Sequence, residues 1–283
     1  MTTTNQFKIL LLAVFLSITG MASAQTYTID GLNYKLKTTN GVTSAQVVGP
    51  SEILVGRLTI PSFVTIDGDN YEVTTINARA FENCSELTSV LIPDNVTTIK
   101  GSAFKDCTNL VSVTLPSGIT ALQGLFQGCS SLTDITIPNG VKNIYDYTFQ
   151  DCSSLKFIDI PSSVTDIYES VFENCTSLTS IYIPDNVKSI ERNAFRGCTS
   201  LNSVTLSNSL TYLADSLFYG CSSLTDITIP NGVTKICFNA FTLCSNLQYI
   251  SFPPSVTNIQ NRAFSSCYNL SSIQVESGNS KYD

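Results

Sequence analysis

Ten cysteines and no histidine set the chemical limits of this chain. Nine of the thiols fall at Cys84, Cys107, Cys129, Cys152, Cys175, Cys198, Cys221, Cys244 and Cys267, each 23 residues from the last except for one interval of 22. Thiols can form disulfides, bind metals or act as nucleophiles, and each role needs particular neighbours. A constant interval makes the nine positions equivalent, so none stands out as a nucleophile. Adjacent copies stacked about 4.8 Å apart would hold their Cα–Cβ vectors parallel, poorly aimed for a disulfide. The series therefore reads as a ladder of buried free thiols acting as small apolar side chains, Cys107, Cys152, Cys175 and Cys198 among its rungs. Cys237 lies out of phase, where other copies carry Lys100, Gln123, Tyr145, Glu191 or Gln260, and is expected to be the more exposed and reactive thiol.

Without histidine, triads using an imidazole base, histidine acid–base steps and histidine zinc sites are excluded. No Walker phosphate loop or dinucleotide fingerprint occurs. The carboxylates are scattered singly, and Asp67-Gly68-Asp69-Asn70 lacks the ligand series of a calcium loop and reads as a β-turn. The chain is read as a non-enzyme without metal or cofactor. Its formal net charge of −7 gives no basic footprint for nucleic acid and no attraction to an anionic membrane surface.

What positions these groups is an internal repeat. Three residues before each repeat cysteine stands a phenylalanine, from Phe81 through Phe104, Phe149, Phe172 and Phe195 to Phe264, and three residues after it a leucine. Aliphatic residues follow at the sixth and eighth positions, as in Ile181 and Ile183, an alternation that turns one face of a strand inward. A proline usually closes that strand, and a second apolar pair such as Val187 and Ile190 leads back to the next phenylalanine. A period of this length specifies a solenoid, in which stacked units build one continuous core that no unit could bury alone. The strands are expected to form one parallel sheet roughly 40 Å long. The fifth and seventh positions after each cysteine then face outward. Most carry small hydroxyl residues, but Asp134, Phe157 and Tyr249 at the fifth position and Asp159 and Tyr182 at the seventh could bind a ligand. Phe157, Asp159 and Tyr182, on adjacent strands, form one aromatic and acidic cluster suited to anchoring a protein or stacking on a sugar.

The ends of the chain differ from the array. Lys8, the apolar run from Ile9 to Ile18 and Ala22-Ser23-Ala24 read as a signal peptide over 1–24, predicting an exported protein held at the cell surface, left in the periplasm or released. Residues 25–52 read as an N-terminal β cap with hairpin turns at Asp30-Gly31 and Asn40-Gly41. Residues 53–283 read as the solenoid, with a degenerate first repeat over 53–83 and regular repeats from 84. No C-terminal cap is visible and the chain is expected to continue past Asp283.

The pattern Ala-Phe-x-x-Cys-x-x-Leu-x-x-Ile-x-Ile-Pro-x-x-Val-x-x-Ile, present from about Ile53 onward, resembles the BspA-like class of leucine-rich repeats, found in surface proteins of gut and oral bacteria and in some protists. The resemblance implies a right-handed leucine-rich-repeat stack and, for some members, adhesion to host matrix proteins or other cells. The expected function is thus an adhesin-like module, monomeric, binding an extracellular protein; a carbohydrate-binding surface protein and a passive spacer are the alternatives.

Overall fold

The computed structural model of the protein describes residues 25–279, 281 and 282. The segment read as a signal peptide lies outside them. Strands β1 (Thr26–Ile29), β2 (Leu32–Thr39) and β3 (Val42–Pro50) form an antiparallel meander. Its turns fall at Asp30-Gly31 and Asn40-Gly41, all four residues with positive φ, the tight-turn geometry that matches strand twist. After β4 (Gly56–Thr59), β5 (Phe63–Ile66) and β6 (Asp69–Ile76) make a hairpin through Asp67-Gly68, so this acidic stretch is a β-turn. β3 runs parallel beside β6, joining the meander to the first rung. Gly49 in β3 has φ +145° and a Cβ there would lie 2.8 Å from the Ala80 carbonyl oxygen, so glycine permits this close approach.

From there the chain winds as a β-solenoid, and no helix occurs among the described residues. Each rung has an open-face strand, a short return strand and a corner carrying phenylalanine and cysteine. Return strands such as Ala121–Leu122, Asn143–Ile144, Asp166–Ile167 and Ser189–Ile190 pair in parallel and make a second sheet column.

The corner is a run of β-turns in which amides alternate between two directions. In one copy, Thr148, Gln150 and Cys152 donate to carbonyls three residues back, while Tyr147, Phe149 and Asp151 donate to Glu169, Val171 and Glu173 of the next rung. The alternation requires a left-handed residue five places and one place before each cysteine. Asn83, Asn174, Gly128 and Gly197 suit that conformation, whereas Leu243, at φ +62°, does not.

Inside the corner the phenylalanines from Phe81 to Phe241 are fully buried. From Phe81 to Phe264 successive rings stack with centroids 5.3 to 5.9 Å apart and planes within 17°.

One expectation needs correction. The open face is not one continuous ladder but three parallel sheets. Gly56–Thr59, Leu87–Leu91 and Ser112–Thr114 form the first, Ser180–Tyr182 and Ser203–Thr205 the second, and Asp226–Thr228, Tyr249–Phe252 and Ser272–Val275 the third. Between the first two only Thr136 and Asp159 bridge. Strands pair at about 4.8 Å, and the ring centroids lie farther apart than that. The widest steps, 5.9 Å for Phe104–Phe126 and 5.8 Å for Phe126–Phe149, fall where the open-face ladder lapses. The 22-residue interval lies at the same place; there the buried Thr148 hydroxyl accepts from the Gly124 amide, 3.1 Å, and donates to the Tyr145 carbonyl, 2.7 Å. At Ser207, which replaces the strand-closing proline, the turn persists: Leu210 still donates to the carbonyl three back and the Ser207 hydroxyl donates to the Val187 carbonyl.

Two stability changes follow. Phe172→Ala, with a ring on either side, is expected to cost about 3–5 kcal/mol in urea unfolding, and Phe264→Ala, only partly buried, clearly less. Leu243→Asn, relieving a left-handed leucine, is expected to add about 1 kcal/mol; an unchanged or lower unfolding midpoint would show that the corner tolerates leucine without strain.

Candidate binding site on the open sheet face

The repeat thiols point into the corner, and all ten cysteines are free. Each from Cys107 to Cys267 donates its S–H to the carbonyl of the phenylalanine in the preceding rung, as Cys107 to Phe81 at 3.1 Å and Cys175 to Phe149 at 3.2 Å. The same phenylalanine carbonyl accepts the backbone N–H of its own rung's cysteine, so one oxygen ties two rungs together. Alanine would leave the sulfur's volume empty and the second bond unmade, an aspect of cysteine not read from the spacing. Burial pushes the Cys107 thiol up to about 12 and carries Cys152, Cys175 and Cys198 above the ordinary thiol range. These are structural groups, not nucleophiles. No cluster of three histidine, cysteine or acidic residues able to hold a metal occurs among the described residues.

Cys237 is the second correction. It is only 6% exposed, and burial raises its pKa. At this position most rungs carry long side chains that lie across the surface; the short thiol remains beneath its neighbours.

On the open face, Phe157 and Tyr182 are each 61% exposed, and Asp134 and Asp159 are exposed beside them. The Lys156 amide donates to Thr133 and the Thr179 amide to Lys156, so the three rungs are in register. Phe157 therefore lies between Asp134 and Ser180, and Asp159 between Thr136 and Tyr182. Asp134, Phe157 and Asp159 line one shallow cavity of about 150 Å³ with Thr136. Alongside it, where the ladder lapses, a cleft of about 590 Å³ opens between Ser112–Thr114 and residues 134–138. Tyr249 is not part of this group: it stands four rungs from Phe157, about 19 Å at strand spacing, and its hydroxyl donates to the Gln274 side chain at 2.7 Å. The cleft was missed by sequence reasoning, although the single 22-residue interval marks its place.

The return side holds a second hollow of about 500 Å³, also missed. Its signal in the sequence is the pair of small residues Ala214 and Cys237 in a column that elsewhere carries Tyr145, Tyr168, Glu191 and Gln260.

No helix of the described residues is long and apolar enough to cross a membrane. The family model of the BspA type leucine-rich repeat region matches in six copies, over residues 62–179 and 165–283. Among curated proteins none matches the chain. Of solved structures, a leucine-rich repeat protein from Bacteroides ovatus is 25% identical with a TM-score of 0.62, over 86% of this chain and 81% of that one. The leucine-rich repeat protein of T. pallidum is 29% identical, TM-score 0.50, over 76% and 87%. The pneumococcal vaccine antigen PcpA, 18% identical with a TM-score of 0.68 over 89% and 70%, shares the fold.

The thiols predict a pH dependence. Folding holds them neutral, whereas in the unfolded chain they ionise above roughly pH 8.5. Their stabilisation is full below that pH and is lost as pH rises toward the raised folded values. Stability should fall above pH 9 by up to about 1.4 kcal/mol per pH unit per interior thiol. A Cys152→Ala/Cys175→Ala variant, less stable at neutral pH, should show a shallower slope; an equal slope would refute the assignment.

Proposed function

The chain belongs to the BspA-type leucine-rich-repeat family, and from that premise we propose that it is an exported, surface-associated binding protein whose partner is an extracellular protein. The observation that carries this reading is the pair of aromatic rings, Phe157 and Tyr182, each 61% exposed on a face of mostly small hydroxyl residues. Exposing two such rings to water is unfavourable in an isolated protein and favourable in one that buries them on binding. The stacked core beneath them fixes their positions before the partner arrives, which lowers the entropy lost on association. Asp134 and Asp159 flank the rings with acceptors for a partner's amides or cationic side chains, and the neighbouring cleft offers a place for a protruding loop. Aromatic anchors with a polar rim are the usual arrangement at protein interfaces.

The location rests on three supports: the signal-like residues 1–24, the family, and a composition of 13% charged residues with a net charge of −7. No enzymatic role is assigned, since the open face presents carboxylates and hydroxyls without an activated nucleophile or base among the described residues.

Surface plasmon resonance of the purified protein against a panel of immobilised extracellular-matrix proteins tests the reading. Binding to at least one is expected, weakened tenfold or more in Phe157→Ala/Tyr182→Ala, since anchor residues contribute roughly 2 kcal/mol or more each and 1.4 kcal/mol is tenfold. Lys142→Ala, an exposed change outside this cluster, should leave it unaltered. Equal binding by the double variant would remove the site from these residues, and no binding anywhere on the panel would leave a passive spacer as the better account.

A further inference from the structure

The hollow on the return side is a trough, and its lining has a different character from the open face. Its residues run from Asp146 to Gln260 over six successive rungs, a length of about 24 Å at strand spacing. It exists because two neighbouring rungs are short there. Ala214 and Cys237, both buried, make an apolar floor where the rungs on either side place Tyr168, Glu191 and Gln260. Tyr168 and Tyr212 turn partly exposed rings into it. Around this floor stand acceptors, Glu191, Asp215 and Gln260, and donors, Lys235 and Arg192.

Much of this rim is held in place by the stack itself. Arg192 pairs with Glu169 of the preceding rung at 2.8 Å, Tyr212 donates to Glu191 at 3.3 Å, and Asp215 accepts the Phe238 amide at 3.0 Å. Each carboxylate keeps further acceptor capacity toward the trough.

We propose that this trough binds a linear neutral oligosaccharide lying along the axis of the stack. Three features select that chemistry. Hydroxyl groups donate and accept at once, so a polyol uses a rim of mixed donors and acceptors that a simple cation or anion would satisfy only in part. The apolar faces of sugar rings match tyrosine rings and a floor of methyl and thiol groups. The trough repeats its polar groups once per rung, a spacing close to the length of one sugar ring in an extended chain. Charge excludes the acidic alternatives: Asp146, Glu169, Glu191 and Asp215 outnumber Arg192 and Lys235, which opposes uronates, phosphates and nucleic acids. The site lies on the return column, away from Phe157 and Tyr182, so it is separable from the protein-binding reading.

Isothermal titration with cellohexaose, mannohexaose and xylohexaose, with hexagalacturonate as the anionic comparison, tests the assignment. Binding of at least one neutral hexasaccharide is expected. It should be lost tenfold or more in Ala214→Tyr, which fills the floor, and in Glu191→Gln. Ala214→Tyr is a mild change for the fold, because Tyr145 and Tyr168 already stack in the same column with centroids 4.7 Å apart; an unchanged unfolding midpoint verifies this. Phe157→Ala/Tyr182→Ala should bind the sugar as the parent does. No heat with any neutral hexasaccharide, binding of hexagalacturonate alone, or neutral binding that survives Ala214→Tyr would each overturn the proposal.

Discussion

Amides in the phenylalanine–cysteine corner alternate between their own turn and the next rung, and the rest of the fold depends on that division. If all of them bonded locally the corner would close on itself and the rungs would be independent. If all bonded outward the corner would be a strand and the chain could not turn. Alternation does both, and it leaves each phenylalanine carbonyl able to take a second donor, the S–H of the following cysteine. The buried rings supply the apolar gain that offsets ordering the chain; the amides set which rung meets which.

The two kinds of spacing are not equal. Rings stack 5.3 to 5.9 Å apart, and strands pair at about 4.8 Å. The open face breaks into separate sheets both at the widest ring steps and between Ser203–Thr205 and Asp226–Thr228, where the rings are 5.5 Å apart, while the return strands stay paired beside the widest steps. Both outward features accompany local departures from the repeat: the cleft near Asp134 lies at the short interval, and the trough on the return side at two small residues in one column. Both candidate sites lie where the repetition fails.

Much of this was legible in the residues alone. The nine-fold recurrence of phenylalanine, cysteine and leucine carries the solenoid, and the strand phase carries the outward direction of Phe157 and Tyr182. The Asp-Gly and Asn-Gly pairs carry the hairpins. Other elements left no adequate trace. Return strands of two residues are too short to show alternation. The left-handed corner positions hold residues as unlike as Arg79, Tyr147, Ser216 and Leu243, because the stack imposes their φ and no intrinsic preference announces it. The depth of Cys237 was misread because the burial of a short side chain depends on the length of those beside it, and the trough is defined by what Ala214 lacks.

The bonds that join rungs all lie along the long axis, including the S–H contacts in the corner. A tensile load applied between the two ends therefore passes through the rungs in series, each carrying the whole force, as links in a chain rather than strands in a rope. Cross-linking by lateral shear, which makes some β-sandwiches mechanically stiff, has no counterpart here. The open-face ladder lapses between Ser112–Thr114 and residues 134–136 and again between Ser203–Thr205 and Asp226–Thr228, so these steps carry the load with fewer links than the fully laddered rungs and are the mechanical fuses of the molecule.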